Sequence, residues 1–201
     1  MIRTLLFDLG DVLVKLDFDR LYRAAATRCG REPEQVREQM RAADVAGPYE
    51  RGEIDSAEFH RRCDAQLGLG QDLAAFSTMW SDMFSPDELV SPELIEALLP
   101  RYNLAILSNT NVLHYEKLRN DYPIVRLFPR AILSYEVGAM KPAPAIYEAA
   151  LAATGSRPEE CFFTDDRAEN IAGALAMGIH AERFEGQTKL EQALQAAGVR
   201  W

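Results

Sequence analysis

Three aspartates, one lysine and a serine–asparagine pair are the residues of this chain whose types and spacing could do chemistry. Asp8 follows the apolar run Leu5-Leu6-Phe7 and precedes Leu9-Gly10-Asp11-Val12-Leu13. Ser108-Asn109-Thr110 closes a second apolar run, Leu104 to Leu107. Lys141 stands between Met140 and Pro142, and Asp165-Asp166 ends the run Cys161-Phe162-Phe163-Thr164. Each has a plainer use when taken alone. Asp and Gly favour turns, Ser-Asn-Thr can cap a helix, a loop lysine is commonly solvated, and paired acids can cap the helix that follows. Their recurrence argues for function, because each comes at or just after the carboxyl end of a predicted strand. In a parallel sheet those ends share one edge, where open α/β sheets bind ligands.

Brought together, Asp8, Asp165 and Asp166 would repel one another unless something positive lay among them. Oxygen ligands with no His or Cys partner select a hard cation, so Mg²⁺ is the expected cofactor. Such a cation, the Lys141 ammonium and a hydroxyl–amide pair would suit a phosphate dianion. A carboxylate facing that phosphorus can attack it and form an aspartyl-phosphate. Gly10 lets the backbone pass close to the cation, and its carbonyl is a candidate further ligand.

The elements that must position these groups read as follows. The first strand, about Leu5 to Val14, is apolar enough to be buried on both faces. From Asp17 to about Phe84 the pattern is helical throughout. Phe18, Leu21, Tyr22 and Ala25 share one face, Pro33 opens the next helix, Gly47-Pro48 breaks it, and Asp55-Ser56-Ala57-Glu58 has the form of a capping box. The stripe from Phe76 to Phe84 is expected in the core of this helical insert. Ser91-Pro92-Glu93 starts another helix. Strands at Asn103–Ser108, Ala131–Ser134, Cys161–Asp165 and Ile179–Phe184 then alternate with helices. Alternating βα units imply an α/β fold, a doubly wound parallel sheet, with the α-helical cap inserted after the first strand. The expected division is a core of residues 1–14 and 86–201 and a cap of residues 15–85.

Composition sets bounds. The 201 residues carry a formal net charge of −9, which argues against nucleic acid as a partner, since phosphate contacts need clustered Lys and Arg. A small phosphorylated metabolite remains compatible with that charge. Cys29, Cys63 and Cys161 are scattered and not in CxxC spacing, which points to a reducing, cytoplasmic compartment. No apolar run is long enough to span a bilayer, and no signal peptide is visible. A monomer or weak homodimer is expected, with Leu127-Phe128 and Trp201 as candidate exposed apolar contacts.

The ordered set of motifs resembles the haloacid dehalogenase-like (HAD) superfamily over almost the full length of the chain. They are Phe7-Asp8-Leu9-Gly10-Asp11-Val12, Leu107-Ser108-Asn109-Thr110, Met140-Lys141-Pro142 and Phe163 to Asn170. The resemblance implies a Rossmann-like core with a small α-helical cap. It implies Asp8 as nucleophile and metal ligand, Ser108 and Asn109 holding the phosphoryl group, Lys141 bridging phosphate and nucleophile, and Asp166 holding Mg²⁺ with Asp165 close by. Asn170 falls where many relatives have another acid. One departure matters: phosphatases of the family mostly carry an aspartate two residues after the nucleophile, as leaving-group acid and later water-activating base. Here that position is Gly10. An unreplaced acid/base costs about 10²–10⁴-fold in rate. A good leaving group, such as the anomeric oxygen of a sugar 1-phosphate, would need less help. The Asp-Leu-Gly start, the Arg51-Gly52-Glu53 turn and Ser108 to Asn111 are similar to a bacterial subgroup with α-D-glucose-1-phosphate phosphatase activity. The expected function is therefore Mg²⁺-dependent hydrolysis of a sugar phosphate such as glucose 1-phosphate. Two rivals follow from the same residues: a dehalogenase, attacking carbon through Asp8 without metal, and a catalytically retired fold kept for binding. Asp17, Asp19, Arg20, Tyr49, Glu50 and Arg51 are the cap residues near the hinge or the central turn.

Overall fold

The computed structural model describes residues 1–201. Its first strand, β1 (Thr4–Phe7), is buried along its whole length. Side chains alternate across a strand. Leu5 and Phe7 therefore enter the larger hydrophobic cluster on one face of the sheet, and Leu6 enters the smaller cluster on the other. Two short strands, β2 (Val14–Leu16) and β3 (Phe84–Glu88), pair antiparallel. Between them run α1 (Phe18–Cys29), α2 (Pro33–Ala42), α3 (Ala46–Glu50), α4 (Ser56–Leu67) and α5 (Leu73–Trp80). The chain continues through α6 (Pro92–Leu98), β4 (Asn103–Ser108), α7 (Val112–Asp121), α8 (Pro123–Arg126), β5 (Arg130–Leu133), α9 (Ser134–Val137) and α10 (Pro144–Thr154). It closes with β6 (Cys161–Asp165), α11 (Ala168–Ala176), β7 (His180–Arg183) and α12 (Gln187–Ala196).

The main sheet has the order β5-β4-β1-β6-β7, and every neighbouring pair is parallel. The chain builds outward from β1 to β5 on one side and then crosses to β6 on the other. The reversal lies at β1, and Asp8 stands just past its carboxyl end, where such sheets open a crevice. The α/β, doubly wound, parallel architecture expected from the sequence is the one observed.

The helical insert is entered and left through the β2–β3 ribbon, which the sequence does not announce: its single apolar run from Leu5 to Val14 divides into β1, ending at Phe7, and the start of β2 at Val14. A three-residue strand carries too short an alternation to announce itself, and Pro86 and Asp87 in β3 are poor strand formers. Local signals for the helices hold well. Asp55 accepts a hydrogen bond from Glu58 N (2.8 Å), and Ser91 from Leu94 N (3.3 Å), each capping a helix start. Inside the insert Phe59 stacks on Tyr49 (ring centroids 4.3 Å apart) and meets Trp80 and Phe76 edge-on (4.8 and 5.6 Å). The stripe of residues 76–84 divides its duties: Phe76 and Met79 pack inside, while Trp80, Met83 and Phe84 also face the cavity between insert and sheet.

One surface expectation is corrected. Phe128 is buried against Phe7, with ring centroids 5.4 Å apart, because the short α8 folds the chain back under the sheet. Leu127 is partly buried in the same cluster, whereas Trp201 is exposed. No helix is long and apolar enough to cross a membrane.

Candidate active site

Lys141 is the hub of the rim. Its ammonium is fully buried and lies 2.9 Å from Asp8 Oδ1 and 2.6 Å from Asp165 Oδ2. It also donates to the Leu107 carbonyl at 2.7 Å. A buried charge survives only when paired and hydrogen-bonded, and this one has three acceptors for its three donors. Asn109 holds the lysine from behind. Its Nδ2 donates to the Lys141 carbonyl (2.9 Å) and its Oδ1 accepts from Lys141 N (2.7 Å). Thus the loop after β4 and the loop before α10 are clamped together.

Asp8 accepts from Leu9 N at 2.7 Å as well as from Lys141. Burial pushes its carboxyl up to about 6; Lys141 pulls it down and Asp165 pushes it up further. A second positive charge beside it would favour the ionised form that a nucleophile needs. The Asp165 carboxylate is wholly buried. Its Oδ1 accepts from Arg167 N (2.9 Å) and Asn170 Nδ2 (2.9 Å), and its Oδ2 from Lys141 Nζ (2.6 Å) and Asn170 Nδ2 (3.1 Å). Asp166 is more open, and its carboxyl is raised by burial and by the nearby acids Asp165 and Asp11.

Carboxylate oxygens of Asp8, Asp165 and Asp166 lie within 4.8 Å of one another. An all-oxygen cluster of this kind fits a hard divalent cation. Asn170 Oδ1, beside it in sequence and structure, is buried without a hydrogen-bond donor, and a water from a cation's hydration shell is the kind of donor that would satisfy it. The residues present therefore fit the group.

The geometry redistributes some expected roles. Asp8, Lys141, Asp165 and Asp166 do converge. Ser108 is buried at the end of β4 and lines the cavity with Leu9, Gly10, Asn109 and Thr110. The Asn109 side chain, expected on the phosphoryl group, is instead engaged by the Lys141 backbone. Asp165 has both oxygens doubly bonded, so its evident work is to seat Lys141, leaving Asp8 and Asp166 as the more available ligands. Sequence reasoning missed the Asn109 clamp and the Ser134 hydroxyl, which donates to Thr110 O (3.0 Å) and accepts from Thr110 N (2.9 Å). Both join residues more than twenty positions apart, and neither leaves a local trace.

Above the rim lies a cavity of about 400 Å³ between sheet and insert. Its insert side includes Phe18, Tyr22, Met40, Trp80 and Met83, with Arg37, Arg41, Asp44 and Glu50 as the charged groups. Glu50 is the one residue of the six hinge and turn candidates whose charged group faces this space. The Asp17 carboxylate caps α1 through Arg20 N, Arg20 pairs with Asp82, Tyr49 bonds Ser56, and Arg51 pairs with Glu53.

An aspartate with a buried lysine at the switch point of a parallel sheet, beside a cation-ready acid pair, is the arrangement that a hydrolase with a carboxylate nucleophile would need. The comparisons with known proteins sharpen this. A family model for haloacid dehalogenase-like hydrolases matches residues 2–178, and the chain belongs to that family. It is 24% identical to a D-ribitol-5-phosphate phosphatase of Bacteroides thetaiotaomicron over 200 residues, covering 96% of this chain and 97% of the relative. A sesquiterpene phosphatase of Aspergillus oryzae is 26% identical over 132 residues, 65% of this chain and 67% of that one. Among solved structures, a HAD family enzyme from Bacteroides thetaiotaomicron in complex with magnesium and inorganic phosphate superposes with a TM-score of 0.83. That match has 28% identity and covers 91% of this chain and 94% of the other.

Proposed function

We propose that this hydrolase is a Mg²⁺-dependent phosphatase that works through an aspartyl-phosphate on Asp8 and acts on a small phosphorylated metabolite. The observation that carries the reading is the Asp8–Lys141 pair at 2.9 Å, with Asp165 seating the lysine and Asp166 at hand. Asp8 and Asp166, with the Gly10 carbonyl as a further candidate, would hold the cation, which would supply charge neutralisation at the phosphoryl oxygens. The Asp8 oxygen that Lys141 does not hold attacks phosphorus. Lys141 fixes the other oxygen and meets the charge that spreads over the phosphoryl group. Ser108 and the Asn109 main-chain N–H hold that group from the β4 side. The open Asp166 beside Asp8 favours the metal-dependent phosphatase over a dehalogenase, and a retired fold would have no need to keep Asp8, Lys141 and Asp166 together.

Sugar or polyol phosphates are the favoured substrates. The resemblance to a D-ribitol-5-phosphate phosphatase supports this class, and Arg37, Arg41, Asp44 and Glu50 offer hydroxyl partners. A second reading has its own support: Phe18, Tyr22, Met40, Trp80 and Met83 make much of the cavity wall apolar, and one relative is a sesquiterpene phosphatase. The test is phosphate release from ribitol 5-phosphate, glucose 1-phosphate, farnesyl monophosphate and p-nitrophenyl phosphate, with Mg²⁺ and with EDTA. Release that needs Mg²⁺ is expected, with kcat/KM highest for a sugar or polyol ester. A marked preference for the isoprenoid ester would replace the substrate class. No release from any ester would end the phosphatase reading.

A further inference from the structure

The site lacks an acid two residues beyond its nucleophile, and a leucine side chain stands in the space beside that position. A Cβ on Gly10 would lie 2.7 Å from Leu16 Cδ1, so β2 places a leucine in the space that an acidic side chain would need. Asp11, one residue further, is turned away. Its backbone is left-handed (φ 52°) and its Oδ1 accepts from Lys15 Nζ at 2.6 Å and Leu16 N at 3.2 Å. Yet a phosphate ester of an ordinary alcohol needs a proton on its leaving oxygen.

The titratable groups around the cavity can be taken in turn. His114 lines it, but both ring nitrogens are occupied: Nε2 donates to the Trp80 carbonyl (3.2 Å) and Nδ1 accepts from Asn111 Nδ2 (3.1 Å). Burial lowers it to about 4, so it stays neutral and has no proton to give. Asp44 is exposed at the edge. Arg37 and Arg41 keep their protons, and burial pushes the Tyr22 hydroxyl above its ordinary range, so it cannot serve as the base of a second step near neutral pH. Glu50 remains. It is partly buried at the end of α3, it faces the cavity that Leu9, Gly10, Ser108 and Thr110 floor, and its carboxyl makes no hydrogen bond or ion pair.

Its place is fixed from the core. Two residues on, Gly52 has φ +67°, and a Cβ there would lie 2.1 Å from the Tyr135 carbonyl oxygen. Only glycine lets the turn sit this close to α9. The next residue back, Ser134, grips Thr110 through its hydroxyl. The turn that carries Glu50 is thus seated on the same short element that braces the second-motif loop.

We infer that Glu50, reaching down from the helical insert, is the general acid/base of this site. The inference rests on the phosphatase reading. In the first step an Asp8 oxygen forms a bond to phosphorus. The bond from phosphorus to the ester oxygen breaks, and that oxygen keeps the electron pair and takes the proton of the Glu50 carboxyl. The products are the free alcohol, the aspartyl-phosphate and a Glu50 carboxylate. In the second step Glu50 removes a proton from water as the water oxygen attacks phosphorus. The Asp8–phosphorus bond breaks, releasing phosphate, and Glu50 is again protonated.

The protonation state suits the task. Burial pushes the Glu50 carboxyl up to about 7. Arg167 from the β6–α11 loop lowers it, Asp44 raises it and Arg51 lowers it. Arg37 and Arg41 face it across the cavity on α2, and Tyr135 and Glu136 lie on α9 beneath its turn. A general acid with this value is protonated below about pH 7, so activity falls as pH rises through it.

The experiment compares wild type with Glu50→Gln and Glu50→Asp across esters of graded leaving ability, all with Mg²⁺. For Glu50→Gln the expected result is a loss of about 10²–10³-fold in kcat/KM on alkyl and sugar phosphates. On p-nitrophenyl phosphate kcat/KM changes less than about fivefold, and a burst of p-nitrophenol precedes slow turnover because the aspartyl-phosphate accumulates. The alkaline limb of the wild-type pH profile disappears. Glu50→Asp restores part of that limb, and inorganic phosphate binds the variants as it binds wild type. A loss equal for every leaving group, no loss at all, or a surviving alkaline limb would overturn the assignment while leaving the phosphatase intact. A wild type inactive on every ester, p-nitrophenyl phosphate included, would overturn both.

Discussion

The floor and the roof of the cavity are built on opposite plans. On the floor, charged groups bond one another: Lys141 meets Asp8, Asp165 and the Leu107 carbonyl, while Asp165 is held by Arg167 N and Asn170. Little there is free to adapt. On the roof, the residues facing the cavity are mainly apolar or aromatic, and Glu50 has no partner. The insert is held by aromatic stacking, and its ion pairs, such as Arg61–Glu58 and Arg20–Asp82, lie at the surface. Exposed pairs of that kind contribute about 0–1 kcal/mol each. A preorganised floor suits chemistry common to many substrates, because electrostatic stabilisation requires groups that need not reorganise. The adaptable roof suits discrimination between alcohols.

The contrast can be broken most directly at Asp8. Asp8→Asn should lower turnover at least about 10⁴-fold on every ester, with the fold and phosphate affinity kept. Retention of a few per cent of the rate on any one ester would mean that the floor is not common to all substrates. Next comes Lys141→Met. Removing one partner from a buried ion network costs about 3–5 kcal/mol of stability, because the remaining charges are left uncompensated. Denaturant titration should show that loss, and added Mg²⁺ should recover part of it by neutralising acids that the lysine leaves uncompensated. A stability unchanged by the substitution would mean that the network is wet and replaceable.

On the roof, Phe59→Ala should cost about 3 kcal/mol from the lost aromatic packing. Below the melting transition, KM for sugar phosphates should rise more than kcat falls, since the floor is untouched. An equal collapse of kcat on p-nitrophenyl phosphate would merge the two regions into one unit. The smallest effect concerns pH. Burial holds His114 at about 4, well below its usual 6.5. The unfolded chain takes up a proton that the folded one refuses. His114 thus contributes stability above about pH 6.5, and this is lost as pH falls toward 4, at no more than about 1.4 kcal/mol per pH unit. Tm measured at pH 7 and pH 5 should show the decline, and His114→Gln should flatten it.

Floor and roof also differed in how well the sequence announced them. Asp8, Lys141, Asp165 and Asp166 were readable because each ends or follows an apolar strand, and strand ends of a parallel sheet must meet. Asn109 was found as a residue but not in its role, since a clamp on Lys141 spans 32 positions and leaves no local pattern. The roof was read as helices from caps and periodicity, correctly, but not as a surface. Helical spacing separates core from solvent and has no symbol for a face that looks into a cavity. For that reason Trp80 and Met83 read as plain core. Glu50 was one of six hinge and turn candidates, and it alone of them lines the cavity.

The central position of β1 has a consequence during synthesis. Thr4 pairs with Asn103 on one side and with Cys161 on the other. At roughly 5–20 residues per second, its second neighbour leaves the ribosome about 8–30 s after it does. Until β4 emerges both edges of this apolar strand are unsatisfied, and until β6 emerges one still is, the situation in which nascent chains aggregate or recruit chaperones. The helical insert, whose contacts are local, can form first. Slow elongation between residues 90 and 160 should therefore lower the soluble yield of this protein more than the same delay placed within the insert.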